Sequence, residues 1–519
     1  MKRRLFILAA VLLLFAGAAR AEDGITSKEM LNEPGRRIGI PLSSASEGAV
    51  AEEMPKAAVI RYNDNMLGFL DVARGRLDAF VYDEVELELY LENGGSGVHL
   101  LDEFMNLTMR ICVGVSPASG IPGLEARVNQ FIAEMKANGT IDDMFRRWVR
   151  NEDRTLPEIG LPEHPQYHLV VGTTGIVMPY SYYEGTELTG FDIELAYRFA
   201  AWLNADLRFE VFDYTGIVPA AVTGKIDVIM ADLQYTDERA ESGLIYSDEL
   251  FLSRIGILVK GDAETAAQGG TFWSEIQSSF SKTFIREDRW KLFVDGVLTT
   301  LLITVLAILF GTLAGFAVFM ACRNGNPAAN GITRCCLWLV QGMPVVVLLM
   351  VLYYIIFGSA AISGVIVAVI GFTMIFGAAV FHLLKMGVGA VDKGQYEAAY
   401  ALGYSGRRTF FRIILPQALP HVLPAWKGEI VGLIKATAVV GYIAVQDLTK
   451  MGDIVRSRTY EAFFPLIAVT VIYFLLEGLI GFLAGRVSIS FNPKRRKPSQ
   501  ILKGIRTGGQ DRGSFSTRP

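Results

Sequence analysis

Lys435 and Glu477 stand in two predominantly apolar runs, 428–446 and 464–483. A charge in hydrocarbon is costly, so such side chains face protein or a water-filled path, and their chemistry is charge pairing or passage. Two arrangements satisfy them: they pair with one another, or Lys435 snorkels toward the membrane surface with its stem in lipid. Catalytic constellations are missing from the rest of the sequence, which has no HExxH, no spaced Ser/His/Asp set and five scattered histidines. It also lacks a G-x-x-x-x-G-K-[ST] loop, so the chain has no phosphate cradle with which to hydrolyse ATP. Cys112 stands apart from Cys322, Cys335 and Cys336, and no disulfide framework or metal spacing emerges. Neither cofactor, metal nor enzymatic activity is expected.

The elements that carry these residues are membrane spans and a large polar region. The chain has 519 residues, 51% hydrophobic and 20% charged, which is too apolar for a simple secreted protein and too charged for a wholly membranous one. A formal net charge of -4 argues against nucleic acid as a partner. Lys2-Arg3-Arg4, the apolar run 5–16 and Ala19-Arg20-Ala21 read as an export signal over 1–21. Residues 296–322 are uncharged and long enough for a helix to cross a hydrocarbon core of roughly 30 Å. The uncharged run 337–381 is read as two spans with a tight turn at Gly358-Ser359 and Ser363-Gly364. The runs near 428–446 and 464–483 complete five spans. Arg323, Arg334, Lys385, Lys393, Arg407, Arg408, Arg412, Lys427 and the basic tail then fall on the cytoplasmic side, as the positive-inside rule asks. Trp290 and Lys291 suit an interfacial anchor at the lipid surface.

Between the third and fourth spans lies Glu397-Ala398-Ala399, then Gly403 after three residues and Ile413-Ile414-Leu415-Pro416 after nine more. Gly403 can adopt backbone angles barred to other residues and so bend the chain between two helices. Pro416 lacks an amide hydrogen, so the second short helix is expected to stop near it. This pattern resembles the EAA loop of bacterial ABC-importer permeases. The resemblance implies a cytoplasmic helix-turn-helix over 394–420, with Glu397, Ala398, Ala399, Gly403, Leu415 and Pro416 coupling to a separate ATPase dimer. It also implies a second permease copy, since an ATPase dimer needs two such loops.

Residues 168–260 resemble the first lobe of the bacterial family-3 solute-binding proteins, through His168–Gly172, Gly190–Ala196, Gly224–Met230 and Thr236–Arg239. Residues 36–83 resemble the second lobe, through Arg37–Ile40 and Gly75–Asp83, and 123–150 resemble the family's closing helices. The resemblance implies that the halves stand in permuted order, joined by the proline-bearing stretch 151–166, with two truncated copies that each pair elsewhere as the rival reading. Such rewiring is tolerated where chain ends lie close together at the surface. The resemblance implies capture of an amino-acid zwitterion. Arg239 matches the family's carboxylate-binding arginine, Asp83 the acid for the α-ammonium, and Ser44 a hydroxyl that assists the carboxylate. The stretch Ala231-Asp232-Leu233-Gln234 stands where relatives usually carry Gly or Ser and then Thr or Ser, and Asp232 either repels a carboxylate or accepts a cationic side chain. Val177 stands at a common aromatic position, leaving Tyr180, Tyr182 and Tyr214 as stacking candidates.

The expected architecture is thus multidomain, an α/β two-lobed periplasmic-binding-protein domain followed by an all-α polytopic membrane domain of five transmembrane helices. Its expected divisions are the signal, 1–21; the second lobe with closing helices, 22–165; the first lobe, 166–262; and a linker with interfacial segment, 263–292. The membrane domain, 293–486, and a basic tail, 487–519, follow. The function implied is uptake of polar amino acids by an ABC-type importer, with an amino-acid-gated channel or membrane sensor as the alternative.

Overall fold

The computed structural model describes residues 24–491 apart from 43, 94, 262–271, 359, 361 and 462. The expected export signal, the tail from 492 onward, Ser43 and the linker stretch 263–271 lie outside the described residues. The chain forms two compact units, one up to Trp290 with Asp453–Leu466, the other Lys291–Gly452 with the residues from Ile467.

The first unit is α/β. Its strands are β1 (Arg37–Pro41), β2 (Ala58–Tyr62), β3 (Ala79–Asp83), β4 (Val98–Leu100), β5 (Thr108–Val115) and β6 (Tyr167–Thr173). After these come β7 (Ile176–Val177), β8 (Ser181–Glu184), β9 (Glu187–Thr189), β10 (Ala205–Val211), β11 (Val228–Ile229) and β12 (Ile245–Lys260). Two lobes share β12. Its residues 245–254 pair antiparallel with β5, and 255–260 pair with β3 and β4. One lobe is built on β1 parallel to β2 and β3, the other on β6 parallel to β10 and β11. Every residue of β3 is buried, as a strand covered on both faces requires, and its sequence shows no polar alternation before Asp83.

Residues 108–149 precede the second half of the unit in sequence but join its lobe in space. β5 enters the sheet beside β11, and the helices after it lock onto Phe191–Leu203 through Glu194. Glu194 is wholly buried, with Arg147 on Oε1 at 2.6 Å and the Trp148 indole N–H on Oε2 at 2.6 Å. A buried carboxylate is tolerable only when paired and hydrogen-bonded in this way. Residues 453–466 are also part of this unit. Arg456 pairs with Asp64 at 2.8 Å, Arg458 with Glu287 at 3.0 Å, and Glu461 with Lys282 at 3.1 Å, while the rings of Tyr460 and Tyr90 lie 6.2 Å apart.

The second unit is helical. Trp290–Cys322, Gly364–Gly389 and Phe464–Arg486 are long and apolar enough to cross a membrane, and two bent helix pairs bring the number of candidate spans to five. In the run 337–381 the second helix starts at Gly364, as the two-span reading expects, but the first span is broken. The first part of the run divides between helices Pro327–Gly342 and Val345–Ile356, which meet at an angle of 113°. The cause is Pro344, which supplies no amide hydrogen and disfavours helical angles at Met343. The fourth expected span begins earlier than 428, as helix Leu415–Ala436, and runs on as a tighter 3-10 turn through Ile443.

Small residues let the long helices touch. Gly311 and Gly315, one turn apart, face Gly377, and a Cβ on Gly315 would lie 2.5 Å from the Gly377 carbonyl oxygen. This is the close approach that small-residue stripes give membrane helices. Gly315→Leu is expected to destabilise the unit by about 1–3 kcal/mol through overpacking. Gly331→Leu, where nothing lies within 4 Å of the new Cβ, is expected to change it by less than about 0.5 kcal/mol. Unfolding in mixed detergent micelles checks both.

Candidate functional site

Residues from both lobes converge where β3 ends and the segment after β11 begins. Asp83, the last residue of β3, caps helix Glu84–Glu92, its Oδ1 accepting the Val85 amide at 2.8 Å. Its Oδ2 has no hydrogen-bond partner although the residue is fully buried. Desolvation pushes this carboxyl up to about 6. Arg239 comes from the other lobe, on the short helix Asp237–Glu241 that Thr236 caps. It donates to the Gln234 carbonyl at 3.1 Å and the Tyr214 hydroxyl at 2.9 Å, with its guanidinium carbon 5.0 Å from the Tyr214 ring centre.

Asp232 is buried in the left-handed region, φ 51°, and its amide donates to Asp192 Oδ2 at 2.6 Å. Its Oδ1 has no hydrogen-bond partner. Burial, then the Asp83 carboxylate, pushes Asp232 well above the usual carboxylate range, and burial raises Asp192 to about 7. Gln234 is fully buried and joins the lobes, accepting the Ala45 amide at 3.1 Å and donating to the Tyr82 hydroxyl at 3.2 Å. Its amide oxygen thus meets a backbone amide at the start of helix Ser46–Glu53. That helix begins at Ser46, one residue after its cap Ala45, and Ser44 donates its hydroxyl proton to the Pro41 carbonyl at 3.0 Å. Tyr180 is buried with an unpartnered hydroxyl, its ring stacked 6.0 Å from Phe251. Tyr214 is half-buried beside Arg239.

Sequence reasoning missed Tyr82, Glu86 and Asp192. Glu86 lies one helical turn after Asp83 and is raised to about 8 by burial, with Asn65 3.2 Å from its Oε1. The Asp83/Glu86 spacing is a readable signal that two acids share a helix face. No group of three or more His, Cys, Asp or Glu suited to a metal occurs among the described residues. What the arrangement offers is complementary charge from opposite lobes: a guanidinium fork from one and unsatisfied carboxyl oxygens from both.

The second candidate site is a helix-turn-helix in the helical unit. Helix Gly394–Ala401 ends at Gly403, φ 77°, and a second helical stretch starts at Gly406. Glu397, Ala398, Tyr400, Leu402 and Pro416 are exposed, Leu415 is half-buried and Ala399 is buried. The helix does not stop at Pro416. Phe410–Ile414 widen into a π-turn, and helix Leu415–Ala436 continues with the proline in its first turn, where a missing amide hydrogen costs least. Lys435 and Glu477 pair at 3.0 Å.

Residues 307–489 match the family described as binding-protein-dependent transport system inner membrane component. A putative glutamine transport system permease protein, GlnP, of Rickettsia bellii is 34% identical over 196 residues, 37% of this chain and 88% of that protein. The L-cystine transport system permease protein TcyL of Bacillus subtilis is 30% identical over 191 residues, 35% of this chain and 79% of its own. A solved structure described as an amino acid ABC transporter with histidines is 27% identical, covering 43% of this chain and 99% of that one, with a TM-score of 0.37. The chain is a multi-pass membrane protein and belongs to the family of binding-protein-dependent transport system inner membrane components.

Proposed function

We propose that this chain combines amino-acid capture and membrane permease in one subunit of an ABC-type importer for polar amino acids. The observation that carries the reading is the coexistence of a permease segment, 307–489, with a two-lobed unit that brings Arg239 and Asp83 from opposite lobes. The permease relatives named for glutamine and L-cystine support an amino-acid cargo. The two-lobed unit faces the extracytoplasmic side and binds the zwitterion between Arg239 and Asp83, with Ser44, Tyr180, Tyr214, Asp232 and Gln234 around it. The exposed loop with Glu397 and Gly403 faces the cytoplasm and docks on a separate ATPase dimer, and two copies of the chain form the permease. Tethering the capture unit replaces diffusive delivery with a high effective concentration at the permease entrance.

Reconstitution in lipid vesicles with the partner ATPase tests this. ATP-dependent accumulation of a labelled amino acid is expected, with ATP hydrolysis stimulated by that amino acid. An amino-acid-evoked ionic current without ATP would overturn the importer reading in favour of a gated channel.

A further inference from the structure

Asp83 and Asp232 meet across the two lobes, one acid more than a simple zwitterion needs. Asp83 ends β3, Asp232 follows β11, and Gln234 reaches from beside Asp232 to the hydroxyl of Tyr82, the neighbour of Asp83, at 3.2 Å. The two acids are 0% and 2% exposed, and each keeps one oxygen, Asp83 Oδ2 and Asp232 Oδ1, without a hydrogen-bond partner. The Tyr180 hydroxyl, on a residue 0% exposed, is likewise unpartnered and senses both acids together with Asp192. Such orphaned polar atoms are rare in a native interior and mark a place that a ligand completes.

A zwitterion brings one ammonium and one carboxylate, which Asp83 and Arg239 answer. Asp232 is then a surplus carboxyl. It cannot be relieved by Asp192, which is an acid itself and is engaged on the Asp232 amide. Glu86 and Asp192 are acids raised by burial and supply no cation to answer it. The left-handed backbone at 232 suits Asp or Asn far better than a β-branched residue and turns the amide toward Asp192. A second positive charge on the ligand would neutralise the cleft.

We infer that the cleft takes amino acids with a cationic side chain, of the lysine, ornithine and arginine class, and that Asp232 accepts the side-chain charge. The inference rests on the zwitterion reading of Arg239 and Asp83. A charge-assisted hydrogen bond to a desolvated carboxylate is short and strong, whereas an uncharged amide donor gives a weaker bond and an apolar side chain of the same length leaves Asp232 Oδ1 unpaired.

The test is calorimetry on the full chain in lipid nanodiscs at neutral pH, with lysine, Nε-acetyl-lysine, norleucine and glutamine as ligands. Lysine is expected to bind at least about tenfold more tightly than the three neutral ligands. Asp232→Asn, which keeps the shape and tolerates the left-handed backbone, is expected to lose that margin. The wild-type panel decides the matter even where the variant fails to fold. Glutamine or acetyl-lysine binding as tightly as lysine would overturn this inference while leaving the zwitterion site standing. Binding of none of the amino acids would overturn the zwitterion site and this inference with it.

Discussion

Arg239→Ala is expected to weaken amino-acid binding by about 2–5 kcal/mol, from roughly thirtyfold to several thousandfold, because it strands a desolvated carboxylate without its cation. Arg239 is 7% exposed, so water cannot restore what the guanidinium supplied. Its two bonds, to the Gln234 carbonyl and the Tyr214 hydroxyl, fix the plane of the fork before a ligand arrives. Preorganisation of this kind lowers the ordering cost of binding. Arg239→Lys keeps the charge but loses the planar fork and is expected to fall between wild type and alanine. Asp83→Asn should cost less than Arg239→Ala, since an asparagine carbonyl can still accept the Val85 amide that Asp83 caps. Calorimetry on the full chain measures all three. Unchanged affinity in both Arg239→Ala and Asp83→Asn would remove the zwitterion site.

Legibility in the sequence followed the range of the interactions involved. The bend at Gly403 and the apolar helix through 296–322 depend on local angles and composition, and both were readable. The kink at Pro344 was hidden inside an uncharged run, because hydropathy reports the cost of lipid contact and says nothing about path direction. Pro344 itself was the available signal. At Pro416 the local rule was sound but the outcome differed, since a π-turn over Phe410–Ile414 moved the proline into a first helical turn. Arg239 and Asp83 were named from a family resemblance. Asp192 and Tyr82 were not, because what distinguishes them is burial beside other acids, a tertiary property without local trace, whereas Glu86 had its spacing from Asp83 as a signal. The same holds for 453–466, a short polar stretch whose Arg456 and Arg458 find Asp64 and Glu287 several hundred and more than a hundred residues away, respectively.

Glu397→Lys and Gly403→Val are each expected to abolish substrate-stimulated ATP hydrolysis while leaving amino-acid affinity within about twofold of wild type. The two act by different physics. Glu397 is exposed on helix Gly394–Ala401, so reversing its charge disturbs no buried contact and changes only what a docking partner meets. Gly403 holds φ 77° with nothing within 4 Å of where a Cβ would stand. A valine there has room but not the backbone angles, and the strain of about 1–2 kcal/mol falls on the bend between the helices. Both residues belong to the helical unit, whereas Arg239 and Asp83 belong to the α/β unit, so a loss confined to hydrolysis is a defect of coupling and not of capture. The measurement pairs ATP turnover in reconstituted vesicles with co-purification of the ATPase and calorimetry of the ligand. Full stimulation and full co-purification in both variants would show that this loop is not the docking element. Loss of ligand affinity alongside loss of turnover would instead mean that the substitutions disturb the fold beyond the loop.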